Sequence, residues 1–149
     1  MNNITPGAAE GDLQTVEKDL KEKDGCTQNP VGWFELPVND MQKAKRFYES
    51  TFGYSLQNPI ELNGFLMSFF PMARQGTGAA GSLIQGPGYA PSHRGTLIYF
   101  SVEDIPPIEK KIAQNGGKVH KPKFSIGQYG FISICEDSEG NRIALHARS

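Results

Sequence analysis

Apolar and polar positions alternate along Trp33–Val38, and that alternation predicts a strand. Phe34, Leu36 and Val38 fall on one face, fully apolar and suited to packing on helices. Trp33, Glu35 and Pro37 fall on the other, a mixture that suits the wall of a cleft. Asn39 and Asp40 can cap a following helix, because a short polar side chain accepts from unpaired N–H groups at a helix start. Met41, Ala44, Phe47, Tyr48 and Phe52 then recur at helical spacing, with Gln42, Lys43, Lys45, Arg46 and Glu49 between them. Gly53 suits the left-handed residue just past the helix end.

The same succession of types returns when Trp33–Gly53 is laid on Leu97–Gly117 without a gap. Val38 falls on Val102, Asp40 on Asp104, Met41 on Ile105 and Gly53 on Gly117. A repeat of this kind predicts a pseudo-symmetric domain with a site between its halves. In the second copy Ile98, Phe100 and Val102 form the core-facing set, and Leu97, Tyr99 and Ser101 the cleft-facing set. Pro106 and Pro107 fit the first turn of the helix, where missing N–H groups cost little. Ile105, Ile108 and Ile112 make its apolar stripe, and Gly116-Gly117 ends it.

Short apolar runs follow each helix. In the first half they lie near Tyr54–Gln57, Phe65–Phe70 and Ala80–Ile84, with a hairpin signal at Asn63-Gly64. In the second they lie at Lys118–Lys121, Phe131–Cys135 and Arg142–His146, with a turn at Asp137–Asn141. Each half therefore reads as β-α-β-β-β, an α+β fold of eight strands and two helices. The halves are expected over about 31–85 and 95–146 of a domain spanning 31–149. GPGYAPSHRG, about 86–95, is the linker between them. Residues 1–30 hold no aromatic side chain and read as a polar tail, or as one short helix over Asp12–Lys23 carrying Leu13, Val16 and Leu20.

Length and charge narrow the class. A chain of 149 residues suits one domain with a good-sized core. A net charge of −1 gives no electrostatic reason to expect nucleic acid or an anionic membrane. No apolar run reaches the roughly 18 residues that span a bilayer. MNNITPGAAEGD lacks the basic and apolar regions of a secretory signal. Two cysteines, Cys26 and Cys135, are too few for a disulfide framework, so a reduced, cytoplasmic setting is expected.

The phrase FELPVNDMQKAKRFYESTFGY resembles the opening of the vicinal-oxygen-chelate superfamily of glyoxalases, extradiol dioxygenases and bleomycin-resistance proteins. EDSEGNRIALH is similar to that superfamily's "DPDGN" turn and final strand. The resemblance covers residues 31–146 and implies paired βαβββ modules in a curved sheet around a cleft, commonly in a homodimer. Metal-binding members carry His, His/Gln/Glu and Glu where this chain has Trp33, Leu97 and Ala144. Indole, isobutyl and methyl groups offer a divalent ion no donor. The resemblance therefore implies no metal at the usual site and no expected cofactor, which argues against the family's isomerase and dioxygenase chemistry.

Glu35 shares a face with Trp33, and His146 shares one with Ala144. They are candidate catalytic residues, as an acid–base pair or as non-standard metal ligands. The alternative is a Glu35 ion pair and a His146 at an exposed strand end. Trp33, Tyr99, Ser101 and Phe131 are candidate ligand-binding residues. His93, in the linker, and His120, after a strand, read as solvated. Cys135 reads as a buried thiol or a cleft neighbour of Phe131 and Ser133. Lys123–Phe131 reads as a lid or a plain hairpin connection. Three functions follow: a metal-independent binder of a small molecule, favoured here; a lyase, isomerase or dioxygenase with a metal on Glu35 and His146; and a structural or regulatory dimer.

Overall fold

The computed structural model describes residue 29 and residues 31–149. The expected Asp12–Lys23 helix and Cys26 lie outside the described residues. The domain described below spans Trp33–Ser149. Its first module runs β1 (Trp33–Pro37), α1 (Met41–Phe52), β2 (Ile60–Leu62), β3 (Phe65–Phe69) and β4 (Ala80–Gln85). Its second runs β5 (Ile98–Ser101), α2 (Ile105–Gln114), β6 (Lys118–Ser125), β7 (Phe131–Glu136) and β8 (Arg142–Ala147). Each module makes its own four-stranded mixed sheet, in the orders β1-β4-β3-β2 and β5-β8-β7-β6. The topology is the same in both: the first strand lies parallel to the last, and the remaining pairs are antiparallel.

Local chemistry explains the helix boundaries. Asp40 is extended and its carboxylate accepts from Lys43 N–H at 3.0 Å, closing the start of α1. Gly53 stands at φ 74°, and its N–H reaches Glu49 C=O at 3.0 Å. The second copy diverges. Asp104 is extended but makes no side-chain cap to α2. Gly116, at φ 91°, supplies the left-handed residue. Gly117 answers a different need, since a Cβ there would stand 2.4 Å from Glu136 O and 2.9 Å from Phe47 Cε2.

One core serves both modules. The α1 stripe buries Met41, Ala44, Phe47 and Tyr48, and the α2 stripe buries Ile105 and Ile112. The alternation expected in β1 and β5 holds: Leu36, Val38 and Phe100 are buried, whereas Trp33 and Tyr99 are 40% and 48% exposed. Phe100 of the second module sits among first-module rings, 4.8 Å from Phe52, 5.7 Å from Tyr48 and 6.4 Å from Phe34.

Two expectations need correction. The strand expected near Tyr54–Gln57 forms instead at Ile60–Leu62. Asn63 and Gly64, at φ 52° and 85°, make the tight turn that sets Leu62 opposite Phe65. The apolar character of Tyr54 serves the core, where it stacks on Phe52 at 5.3 Å. The second correction concerns β7. Phe131, Ser133 and Cys135 oppose Ala147, Leu145 and Ile143, so they share the helix-facing core side. Ile132, Ile134 and Glu136 occupy the other face, opposite His146, Ala144 and Arg142. Of Lys123–Phe131, Lys123–Ser125 end β6 and Phe131 opens β7, so the connection itself is 126–130, with one 3₁₀ turn at Gly127–Tyr129.

A buried carboxylate locks the modules together. Asp137 accepts from Tyr48 Oη at 2.7 Å, Asn141 Nδ2 at 3.0 Å, and the N–H groups of Glu139 and Asn141 at 2.9 Å each. Asn141 Nδ2 also donates to Pro37 C=O at 2.7 Å, and Glu139 Oε1 accepts from Asp40 N–H at 2.8 Å. Burial, then the charge of Asp137 and the hydrogen bond to it, push the Tyr48 phenol well above its ordinary 10.0. With the folded value raised, this contribution is complete below about pH 10 and is lost as pH climbs through the raised value. Tyr48→Phe is therefore expected to cost about 1.5–3 kcal/mol in urea unfolding at pH 7. It is also expected to flatten the decline in stability above about pH 10. A variant as stable as the parent with the same alkaline decline would remove Tyr48 from this role.

Candidate functional site

Among the described residues β1 and β5 each pair on one side only, with β4 and β8 respectively, so there each sheet presents a free strand edge. A cavity of ≈ 290 Å³ lies along these edges, lined by Phe34, Tyr54 and Phe70, by the Thr77–Ala80 loop, and by Ile98–Ser101. Both faces of β5 contribute to the lining, which places the cavity against the strand's unpaired edge. Its chemistry is aromatic rings with a few hydroxyls, from Thr77, Tyr99 and Ser101. Such a volume, at the small end of ligand sites, suits a small molecule held by ring contacts and oriented by a few hydrogen bonds. Free edges add main-chain donors and acceptors.

The candidate residues distribute unevenly around it. Tyr99 and Ser101 line the cavity. Trp33 stands beside it, since its register partner Ala80 is part of the wall, and its ring meets Phe69 edge-on at 5.7 Å. Phe131, expected in the wall, is on the core side, where it packs against the buried cluster. Counting from the Asp137–Asn141 turn would have shown this, because a hairpin turn sets which residues oppose one another.

Glu35 and His146 have separate partners. Glu35 Oε2 accepts from Tyr89 Oη at 2.8 Å. His146 Nε2 is 2.8 Å from Tyr129 C=O. No hydrogen bond joins the two among the described residues. Trp33, Leu97 and Ala144, at the positions where the resemblance places metal ligands, are exposed, half-buried and buried. Their side chains supply neither nitrogen nor oxygen lone pairs in a geometry a divalent ion uses, so the residues present do not fit that site.

The linker is held on both sides. Tyr89 bonds Glu35 and meets Phe65 edge-on at 5.5 Å on the first sheet. Ser92 exchanges main-chain contacts with Asn141 Oδ1 and Arg142 N–H at 3.3 Å each on the second. His93 Nε2 and His120 Nε2 both reach Glu136 Oε2, at 2.9 and 2.8 Å. Residues so far apart in sequence gave no sign of meeting.

The model of the Glyoxalase/Bleomycin resistance protein/Dioxygenase superfamily matches residues 31–145. The chain is 31% identical over 121 residues to "Putative glyoxylase CFP32" of Mycobacterium tuberculosis, a match covering 79% of this chain and 45% of that protein. The chain thus spans under half the length of that curated relative. Among solved structures, it is similar to TnmS3, an antibiotic binding protein from Streptomyces sp. CB03234. That match has 26% identity, a TM-score of 0.62, and coverage of 83% and 99% of the two chains. It is similar in fold to a glyoxylase/bleomycin resistance protein/dioxygenase domain from Frankia sp. EAN1pec, at 16% identity, TM-score 0.65, and coverage of 83% and 100%.

The Glu35 contact is open to direct test. The Glu35 hydrogen bond, then its charge, raise the Tyr89 phenol above its ordinary 10.0. Following tyrosine ionisation by ultraviolet absorbance, Glu35→Gln should bring one phenol back toward 10.0. An unchanged titration would show that Tyr89 and Glu35 are apart in solution.

Proposed function

This chain belongs to the glyoxalase/bleomycin resistance protein/dioxygenase superfamily, and from that membership we propose that it binds a small molecule in the cavity between its modules, without a metal at Trp33, Leu97 and Ala144. The observation that carries the reading is the lining itself: rings from both modules, with Tyr99 and Ser101 offering hydroxyls at an unpaired strand edge. The similarity to an antibiotic binding protein supports a sequestering role over a chemical one. Binding would rest on ring contact and desolvation, with the hydroxyls fixing orientation. A homodimer is part of the proposal, since Ile60 and Leu62 on the edge strand β2 are exposed and would be covered by a second copy.

A lyase, isomerase or dioxygenase reading with Glu35 and His146 as ligands draws support from the name of the mycobacterial relative. It gains none from geometry, because each residue is engaged elsewhere. A purely structural or regulatory dimer would need no open cleft, whereas Tyr99 is half exposed beside a cavity.

Trp33 is the one tryptophan of the chain and adjoins the cavity wall, so its emission reports on occupancy. The aromatic probe 8-anilinonaphthalene-1-sulfonate should quench it saturably. Tyr99→Ala should weaken that binding by about 1 kcal/mol, roughly fivefold. Ser101→Trp should fill the cavity and abolish it with little loss of stability, because Ser101 is exposed. Quenching that is absent, or indifferent to both substitutions, would refute binding in this cavity.

A further inference from the structure

Two imidazoles and one carboxylate converge on the face of the second sheet turned away from its core. Glu136 closes β7 opposite Arg142, on the side shared by Ala144 and Tyr99. Its carboxylate is only 14% exposed, while the His93 and His120 side chains are 47% and 42% exposed. The β6–β7 register shifts between Val119 and Lys121, so His120 is the extra residue of a bulge. A bulge re-aims a side chain that regular pairing would direct elsewhere. His93 arrives from the linker, which Ser92 already fixes to Asn141 and Arg142. Three separate segments thus deliver one donor atom each, and the donors lie within 4.8 Å of one another.

We propose that His93, His120 and Glu136 form a binding site for a borderline divalent transition ion such as Zn²⁺. Two imidazole nitrogens and one carboxylate oxygen are a donor set such ions favour. Both nitrogens address the same oxygen, Oε2, at 2.9 and 2.8 Å. Tetrahedral donors at bonds of about 2.0–2.2 Å stand about 3.3–3.5 Å apart, so small side-chain rotations open the triangle around an ion. Two of the three side chains, His93 and His120, are nearly half exposed and so have room for that rotation. Lys118 lies on the far oxygen, with Nζ 3.9 Å from Oε1 and its side chain 70% exposed, which leaves Oε2 to the imidazoles. Three protein ligands leave a fourth position for water or an outside ligand. The site shares no residue with Trp33, Leu97 or Ala144, and does not depend on the small-molecule reading. An ion there would tie the linker to β6 and β7.

The test is isothermal titration of the untagged, chelator-stripped full chain with Zn²⁺. It should take up one ion per chain. His93→Ala, His120→Ala and Glu136→Gln should each weaken uptake at least about tenfold, the loss typical even of outer-shell changes. His146→Ala removes the one other imidazole in the chain and should change nothing. Co²⁺ should give a visible d–d spectrum that His120→Ala abolishes. Circular dichroism of each metal-free variant guards against misfolding, and a variant that has lost its fold is replaced by the His→Gln form at the same position. No saturable uptake, or uptake that survives any of the three substitutions unchanged, overturns the site.

Discussion

The buried carboxylate of Asp137 is the constraint on which the other features depend. A carboxylate so enclosed is tolerable only when its lone pairs are matched, and four donors surround it. Those donors come from the Asp137–Asn141 turn and from α1 of the other module. Asn141 carries the connection to the end of β1 through Pro37 C=O, and Glu139 carries it to the start of α1. A five-residue turn thereby fixes where the first module's strand and helix lie against the second module's sheet. Phe100 completes the lock by entering the aromatic cluster of the first module.

Holding the modules this way brings two unpaired edges, β1 and β5, to the same cavity. Neither edge is covered by its own module, because among the described residues each first strand pairs with its module's last strand alone. The cleft is thus a consequence of the repeat and of the clamp between its copies. The linker, although rich in Gly and Pro, is tied to both sheets by side-chain contacts. Its Tyr89 bonds Glu35 on the first sheet, and its His93 joins Glu136 on the second.

The parts legible in sequence were those set by local spacing. The strand faces of β1 and β5, the α1 stripe and the family resemblance all rest on short-range patterns around Asp40 and Asp104, and the fold carries them. The apolar run near Tyr54 does not mark β2, because Tyr54 is apolar for a core contact whereas Asn63-Gly64 dictates pairing further along. Both residue sets of β7 are mixed in character, so alternation alone does not place Phe131, and parity there is decided by the partner strand. The meeting of His93, His120 and Glu136 depends on a bulge and a pinned linker, which leave no periodic signal. The parity of β5 puts Tyr99 and Ser101 on one face, and both line the cavity.

The central claim is that one cavity, built jointly by the two modules, receives a small molecule. A ¹H–¹⁵N NMR titration of the full chain with 8-anilinonaphthalene-1-sulfonate tests it most directly. Amides of Thr77–Ala80 in the first module and Ile98–Ser101 in the second should shift together, along a single saturation curve. Shifts confined to one module, or centred away from both strand edges, would contradict the account.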